Sequence, residues 1–184
     1  MEYLKKDIIQ SYRGSIEEEI IKDHALKAIN ACFQCGTCSG GCPSGRRTAL
    51  VTRKIIRKAI SNMEEVLNDK EIWMCTTCYT CFERCPRSVP ITDIIIKLRN
   101  LAVRKGNMLE SHKQLSHVLI QTGHGVPLGN ADNQWVKLRV SCGLSPLPPT
   151  THMHPEAIEE IAILVKETHF DTLVGYPKKS KTDK

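Results

Sequence analysis

A mainly α-helical fold built on one duplicated motif is what this sequence predicts, and three observations carry the prediction. Eight of the nine cysteines fall between residues 32 and 85, in two copies of one spacing. The first copy reads Cys32-x-x-Cys35-x-x-Cys38-x-x-x-Cys42-Pro43 and the second Cys75-x-x-Cys78-x-x-Cys81-x-x-x-Cys85-Pro86, each cysteine following its counterpart by 43 residues. Outside the motifs, apolar residues recur at helical rather than alternating intervals. Aromatic content is 5% over 184 residues, low for a core that must hold itself together unaided.

The spacing C-x₂-C-x₂-C-x₃-C-P is that of a bacterial-type [4Fe–4S] site, and two such runs make a two-cluster protein. Three thiolates two residues apart converge on one cubane only if the backbone wraps around it, because a straight helix carries such positions away from a common point. Gly36, Gly40 and Gly41 suit a tight wrap in the first copy. The second copy has no glycine between its cysteines, which predicts a less strained or differently shaped loop. The proline after each fourth cysteine fixes φ and stops a helix from continuing. In two-cluster ferredoxins this fourth cysteine serves the other cluster. That assigns Cys32, Cys35, Cys38 and Cys85 to one [4Fe–4S] cluster, and Cys75, Cys78, Cys81 and Cys42 to the second.

Other uses of eight cysteines fit less well. Four-cysteine zinc sites come as two C-x₂-C knuckles well apart, without a third cysteine at once and a closing Cys-Pro. A disulfide framework needs an oxidising compartment, and no export signal is evident. The formal net charge is +6. Each oxidised cluster with four thiolates brings about −2, so two lower the total to about +2. The basicity is then largely counter-charge to the cofactors, which weakens a nucleic-acid reading. No stretch approaches the length of a membrane span, and the expected localisation is cytoplasmic.

Taken in order, residues 1–30 form a helical lead-in, 31–105 the two-cluster core, and 106–184 C-terminal helices with a Pro-rich extended arm. Ser15 and Glu18 make a capping box for a helix over about 16–30, with Ile16, Ile20, Ile21, His24, Ala25 and Ala28 at helical intervals and Glu17 to Glu19 favourably placed at its N-terminus. After Pro43 a helix carries Leu50, Val51, Ile55, Ile56 and Ile60 on one stripe, with Arg53, Lys54, Arg57 and Lys58 mostly opposite. A short helix over Glu64 to Met74 leads into Cys75 and brings Trp73 near a cluster. Pro90 then opens a helix with Ile94, Ile95, Leu98, Leu101 and Ala102 apolar, so each loop feeds a helix and the repeat predicts a pseudo-two-fold pair. Arg46, Arg47, Arg84 and Arg87 flank the fourth cysteines. Facing the clusters they favour the reduced state, and facing outwards they are docking charges.

A third helical pattern runs from Asn107 to Gln121 with Gly123 as its stop. His112 and His117, five apart, read as boundary or surface side chains. Residues 123–155, rich in Gly and Pro, read as an extended arm held open by Pro146, Pro148 and Pro149. His152 and His154 beside Pro155 read as a loop in preference to a metal pair. Cys142 reads as a small side chain that is buried or half-buried. Pro155 suits the first turn of a last helix bearing Ile158, Ile161, Ala162, Leu164 and Val165, and the tail KKSKTDK is charged.

The helical core resembles the α-helical ferredoxin domain of multi-subunit redox enzymes. With the segments GHGVPLG, GLSPLPPTTHMHPEAIEEI and FDTL, nearly the whole chain resembles the iron–sulfur C subunit of the soluble CoB–CoM heterodisulfide reductase of methanogenic archaea. The paired motifs alone are shared with iron–sulfur subunits of the succinate/fumarate, glycerol-3-phosphate and glycolate oxidoreductases, which remain the alternative; the C-terminal third narrows the choice. The resemblance implies a relay in methanogenesis. Electrons pass from a flavin-containing, bifurcating subunit, through this chain, to the catalytic subunit that reduces the heterodisulfide, with a hydrogenase or formate dehydrogenase in the larger assembly. The chain has neither the Cys-Cys pair of that catalytic subunit nor a G-x-G-x-x-G fingerprint. Cys142 has no resolving partner for dithiol exchange. The expectation is electron transfer without catalysis by this chain alone.

Overall fold

The computed structural model describes Ile20, residues 22–23, 26–126 and 133–177. The capping box at Ser15 and most of the predicted lead-in helix lie outside these residues, as does the charged tail from residue 178. Among the described residues every regular element is helical. The chain divides into two units, residues 1–107 and 108–184.

In the first unit the 43-residue repeat extends beyond the cysteines. A 3-10 helix over Lys27–Ala31 precedes the first loop and another over Lys70–Met74 precedes the second, with Ile29 and Ile72 buried at matching positions. Helices α1 (Thr37–Gly40) and α3 (Thr80–Glu83) repeat at the same interval inside the loops. Each loop then feeds a longer helix, α2 (Thr52–Ile60) and α4 (Ile91–Arg104). The repeat loosens here, because α2 starts later after its cysteine than α4 does.

These helices form where they do because their apolar residues return every three or four positions. Ile55, Ile56 and Ala59 of α2 and Ile94, Ile95, Leu98 and Ala102 of α4 are all 3% exposed or less, in one core with Val66 and Leu67. Each buried large aliphatic side chain contributes roughly 1.5–3 kcal/mol. Val51, predicted on this stripe, precedes α2 and is exposed. The predicted helix over Glu64 to Met74 is two 3-10 turns, Glu64–Leu67 and Lys70–Met74, interrupted where Asp69 takes an extended conformation. Lys58 Nζ binds Asp69 Oδ2 at 2.6 Å across that break.

In the second unit, α5 (Glu110–Thr122) ends at Gly123, whose φ of 65° closes the helix in the left-handed conformation as the sequence predicts. Helix α5 packs on α7 (Ala157–Glu167), and α7 on the short α8 (Phe170–Leu173). His117 Nε2 lies 2.9 Å from Val174 O and edge-on to Tyr176, so this histidine joins α5 to the C-terminal turn.

Three expectations for this unit need correction. The segment read as an extended arm contains a helix, α6 (Gln134–Ser141), whose first turn is capped by Asn133 accepting from Trp135 N at 2.9 Å. Cys142, read as buried or half-buried, is exposed just beyond α6. The last helix begins at Ala157, with Pro155 in the preceding turn, and Leu164 of its predicted apolar face is 62% exposed.

Candidate metal centre

Both cysteine loops adopt one backbone path. Gly36 (φ 86°) caps α1 in the left-handed conformation, and Tyr79 (φ 60°) caps α3 in the same conformation. Two residues earlier in each loop, Gln34 (φ 63°) and Thr77 (φ 53°) also match. The hydrogen bonds repeat too: Ser39 N and Gly40 N donate to Gly36 O, as Phe82 N and Glu83 N donate to Tyr79 O. The second loop is therefore not differently shaped, despite having no glycine. A left-handed backbone costs an L residue roughly 1–2 kcal/mol, so the surroundings impose this path. One visible constraint is Tyr79 Oη, which donates to Asp93 Oδ1 of α4 at 2.8 Å.

The loops enclose two hollows. Cys42, Cys75, Cys78 and Cys81 line one, together with Thr52, Thr92 and Ile95. Cys32, Cys35, Cys38 and Cys85 line the other, with Gln34, Arg53 and Ile91. Each hollow thus takes three cysteines from one loop and the fourth from the other. Their unfilled volumes, including space open to solvent, are about 290 and 270 Å³. Among the described residues no three Cys, His, Asp or Glu side chains are set to hold a single metal ion. Four thiolates around a cubane each take a different iron, so they stand further apart than ligands of one ion. Four soft thiolate donors around each hollow fit a [4Fe–4S] group.

The electrostatics of the thiols repeat as well. Cys35 Sγ lies 3.4 Å from Thr37 Oγ1 and Cys78 Sγ 3.4 Å from Thr80 Oγ1. The threonine hydroxyls stabilise a thiolate there and hold both exposed thiols below their ordinary pKa. Cys38 and Cys81 sit deeper, and burial pushes both up. The fourth cysteines receive backbone N–H groups on sulfur, Gly45 N to Cys42 at 3.3 Å and Val89 N to Cys85 at 3.4 Å. Such bonds to sulfur are among the terms that set a cluster's potential.

The flanking arginines Arg46, Arg47, Arg84 and Arg87 are exposed, and none of them lines either hollow. Two other arginines approach the sites, neither singled out as a site residue by sequence reasoning. Arg53 of α2 lines the first-loop hollow and lies within 3.4 Å of Gln34 O through Nη1. Arg99 of α4 donates from Nε to Ile72 O at 2.8 Å and from Nη2 to Cys75 O at 2.5 Å. Its guanidinium carbon stands 5.7 Å from the ring centre of Trp73, the residue predicted to pack near a cluster. Thr52 and Thr92, both buried at the starts of α2 and α4, also escaped sequence reasoning. Their only signal was a place at the start of the helix that follows each motif.

Residues 28–89 match the family described as a 4Fe-4S dicluster domain. Beyond that segment, the chain is 48% identical over 168 residues, 89% of each protein, to the C subunit of the "H(2):CoB-CoM heterodisulfide,ferredoxin reductase" of Methanothermobacter thermautotrophicus. It is 49% identical over 164 residues, 87% of this chain and 99% of the relative, to the C subunit of the "Ferredoxin:CoB-CoM heterodisulfide reductase" of Methanosarcina mazei. It is 44% identical over 176 residues, 95% of this chain and 90% of the relative, to the iron–sulfur C subunit of the "CoB--CoM heterodisulfide reductase" of Methanopyrus kandleri.

Proposed function

The chain belongs to the family of iron–sulfur C subunits of CoB–CoM heterodisulfide reductases, and from that premise we propose that it relays electrons through two [4Fe–4S] clusters from the flavin-containing subunit to the catalytic one. Cys32, Cys35, Cys38 and Cys85 hold one cluster; Cys75, Cys78, Cys81 and Cys42 hold the second. The observation that carries this reading is the lining of the two hollows, each with three cysteines of one loop and the fourth of the other. A bound [4Fe–4S] group supplies a one-electron acceptor that needs little rearrangement.

The protein's own part is to hold, shield and tune. Buried Ile95 and Thr92 line one hollow and buried Ile91 lines the other, limiting water on those sides. The N–H groups of Gly45 and Val89 offset negative charge on the sulfurs they meet. Disulfide chemistry is left to the catalytic partner, because the one cysteine outside the two motifs, Cys142, has no second thiol to resolve an exchange. The partners are the flavin-containing and catalytic subunits, with a hydrogenase or formate dehydrogenase supplying electrons, and the site of action is the cytoplasm. No helix among the described residues is long and apolar enough to cross a membrane.

The test is iron and acid-labile sulfide analysis with EPR on anaerobically prepared protein. About eight irons and eight sulfides per chain, reducible by dithionite, are expected from two cubanes. One or two zinc ions without sulfide would overturn the proposal.

A further inference from the structure

The two cysteine loops share one backbone path, and a difference between the halves lies at the turn before the first cysteine of each loop. In the first half that turn closes on its own backbone, with Cys32 N donating to Ile29 O at 3.0 Å. In the second half Ile72 O, the equivalent carbonyl, accepts from Arg99 Nε at 2.8 Å, and Arg99 Nη2 continues to Cys75 O at 2.5 Å. A guanidinium is thereby fixed on the backbone of a residue whose thiol lines the hollow. Counted from the starts of α2 and α4, the residue at the place of Arg99 in the first half is Ile60, half-buried and apolar, so the first half carries no cation at this place.

Burial decides how much this asymmetry matters. Arg99 is half-buried, under the Trp73 ring and against two carbonyls. A charge withdrawn from water acts on its surroundings through a lower effective dielectric than an exposed one does. Arg53 lines the other hollow but is exposed, so solvent and salt screen it. Asp93 is the opposing charge in the second half. It is engaged by the Tyr79 hydroxyl and has no hydrogen bond to a cysteine residue. A fixed cation beside a redox centre favours the form that carries one more negative charge.

Resting on the two-cluster reading above, we infer that Arg99 is a positioning residue that makes the site of Cys42, Cys75, Cys78 and Cys81 the more readily reduced of the two. One electron from an external donor, shared between the sites, leaves the first-loop site and resides at the second.

The experiment is a potentiometric titration of the full-length, cluster-loaded chain followed by EPR, with iron counted beforehand. Failure to load iron and sulfide in the unsubstituted chain would count against the proposed function and not against this inference. Cys35→Ser and Cys78→Ser mark which signal belongs to which site. The signal altered by Cys78→Ser is expected to titrate at the higher potential. Arg99→Gln should shift that signal alone to lower potential, and Arg99→Lys, which keeps the charge, should shift it less. The inference is overturned if the Cys35→Ser signal is the higher or the two coincide, if Arg99→Gln moves neither or both, or if Arg99→Lys moves it as far as Arg99→Gln. Should Arg99→Gln not load, the order of the two signals in the unsubstituted chain and the Arg99→Lys shift decide alone.

Discussion

The two units of this chain spend their apolar residues differently. In the cysteine unit the large aliphatic side chains of α2 and α4 are turned inwards and almost wholly buried around two hollows. In the C-terminal unit Leu138, Val140, Leu144, Ile163 and Leu164 are each more than half exposed, and α7 has no buried residue among its eleven. The contrast separates two roles. On the proposed function, one unit organises itself around its cofactors and the other offers surface to a neighbouring subunit of the reductase.

The largest effect that bears on this contrast is at Cys85. If the cofactors cross-link the two copies, Cys85→Ser should abolish or alter the cluster of Cys32, Cys35 and Cys38, with loss of up to about four irons of about eight. The cluster of its own loop should persist in the EPR spectrum. Selective loss of the cluster in the Cys75 loop would instead show that each copy ligates its own.

Truncation after Asn107 comes next. It is expected to leave both clusters assembled and reducible, while co-purification with the other reductase subunits is lost. A truncated chain that still enters the complex at full affinity would mean that the C-terminal unit serves only its own fold.

Gly123→Ala acts on the second unit alone. A Cβ there would stand 2.3 Å from Thr151 Cγ2 and 2.9 Å from Ile161 Cδ1, at a backbone φ of +65°. Crowding and the left-handed backbone together should destabilise the unit by roughly 2–4 kcal/mol. Hydrogen exchange would register this as lost protection in α5 and α7, with the cysteine unit unchanged.

Much of the first unit was legible in its residues and much of the second was not, for a physical reason. Ligand spacing is a covalent constraint, so a 43-residue repeat of cysteines carries the backbone with it, down to the matched 3-10 turns before Cys32 and Cys75. Helix α4 was equally legible because its apolar face is continuous and buried. Arg99 was not, since one arginine on an amphipathic helix looks like any solvated charge until the chain brings Ile72 and Cys75 to it. Helix α6 was hidden for the opposite reason. Its apolar residues follow no single face, and only the cap at Asn133 announces it in a segment full of Gly and Pro. Cys142 followed the general tendency of free cysteines to be buried, against which α6 leaves it exposed.

The smallest effect concerns Tyr79, where the two loops reach one conformation with different residues. If the fold around the second hollow imposes the left-handed backbone, Tyr79→Gly removes the steric penalty that Gly36 avoids in the first loop. It also removes the hydroxyl that meets Asp93, and it gives the unfolded chain more freedom to lose. These terms oppose one another, so cluster content should be unchanged and the shift in thermal unfolding small. Tyr79→Phe separates them, because it keeps the strain and loses only the bond to Asp93. It should therefore be the less stable of the two variants if backbone strain outweighs chain entropy at this position. Should Tyr79→Gly instead lose the cluster held by Cys75, Cys78 and Cys81, the tyrosine's bond to α4 is what shapes the loop, and the equivalence of the two copies is enforced by different means in each.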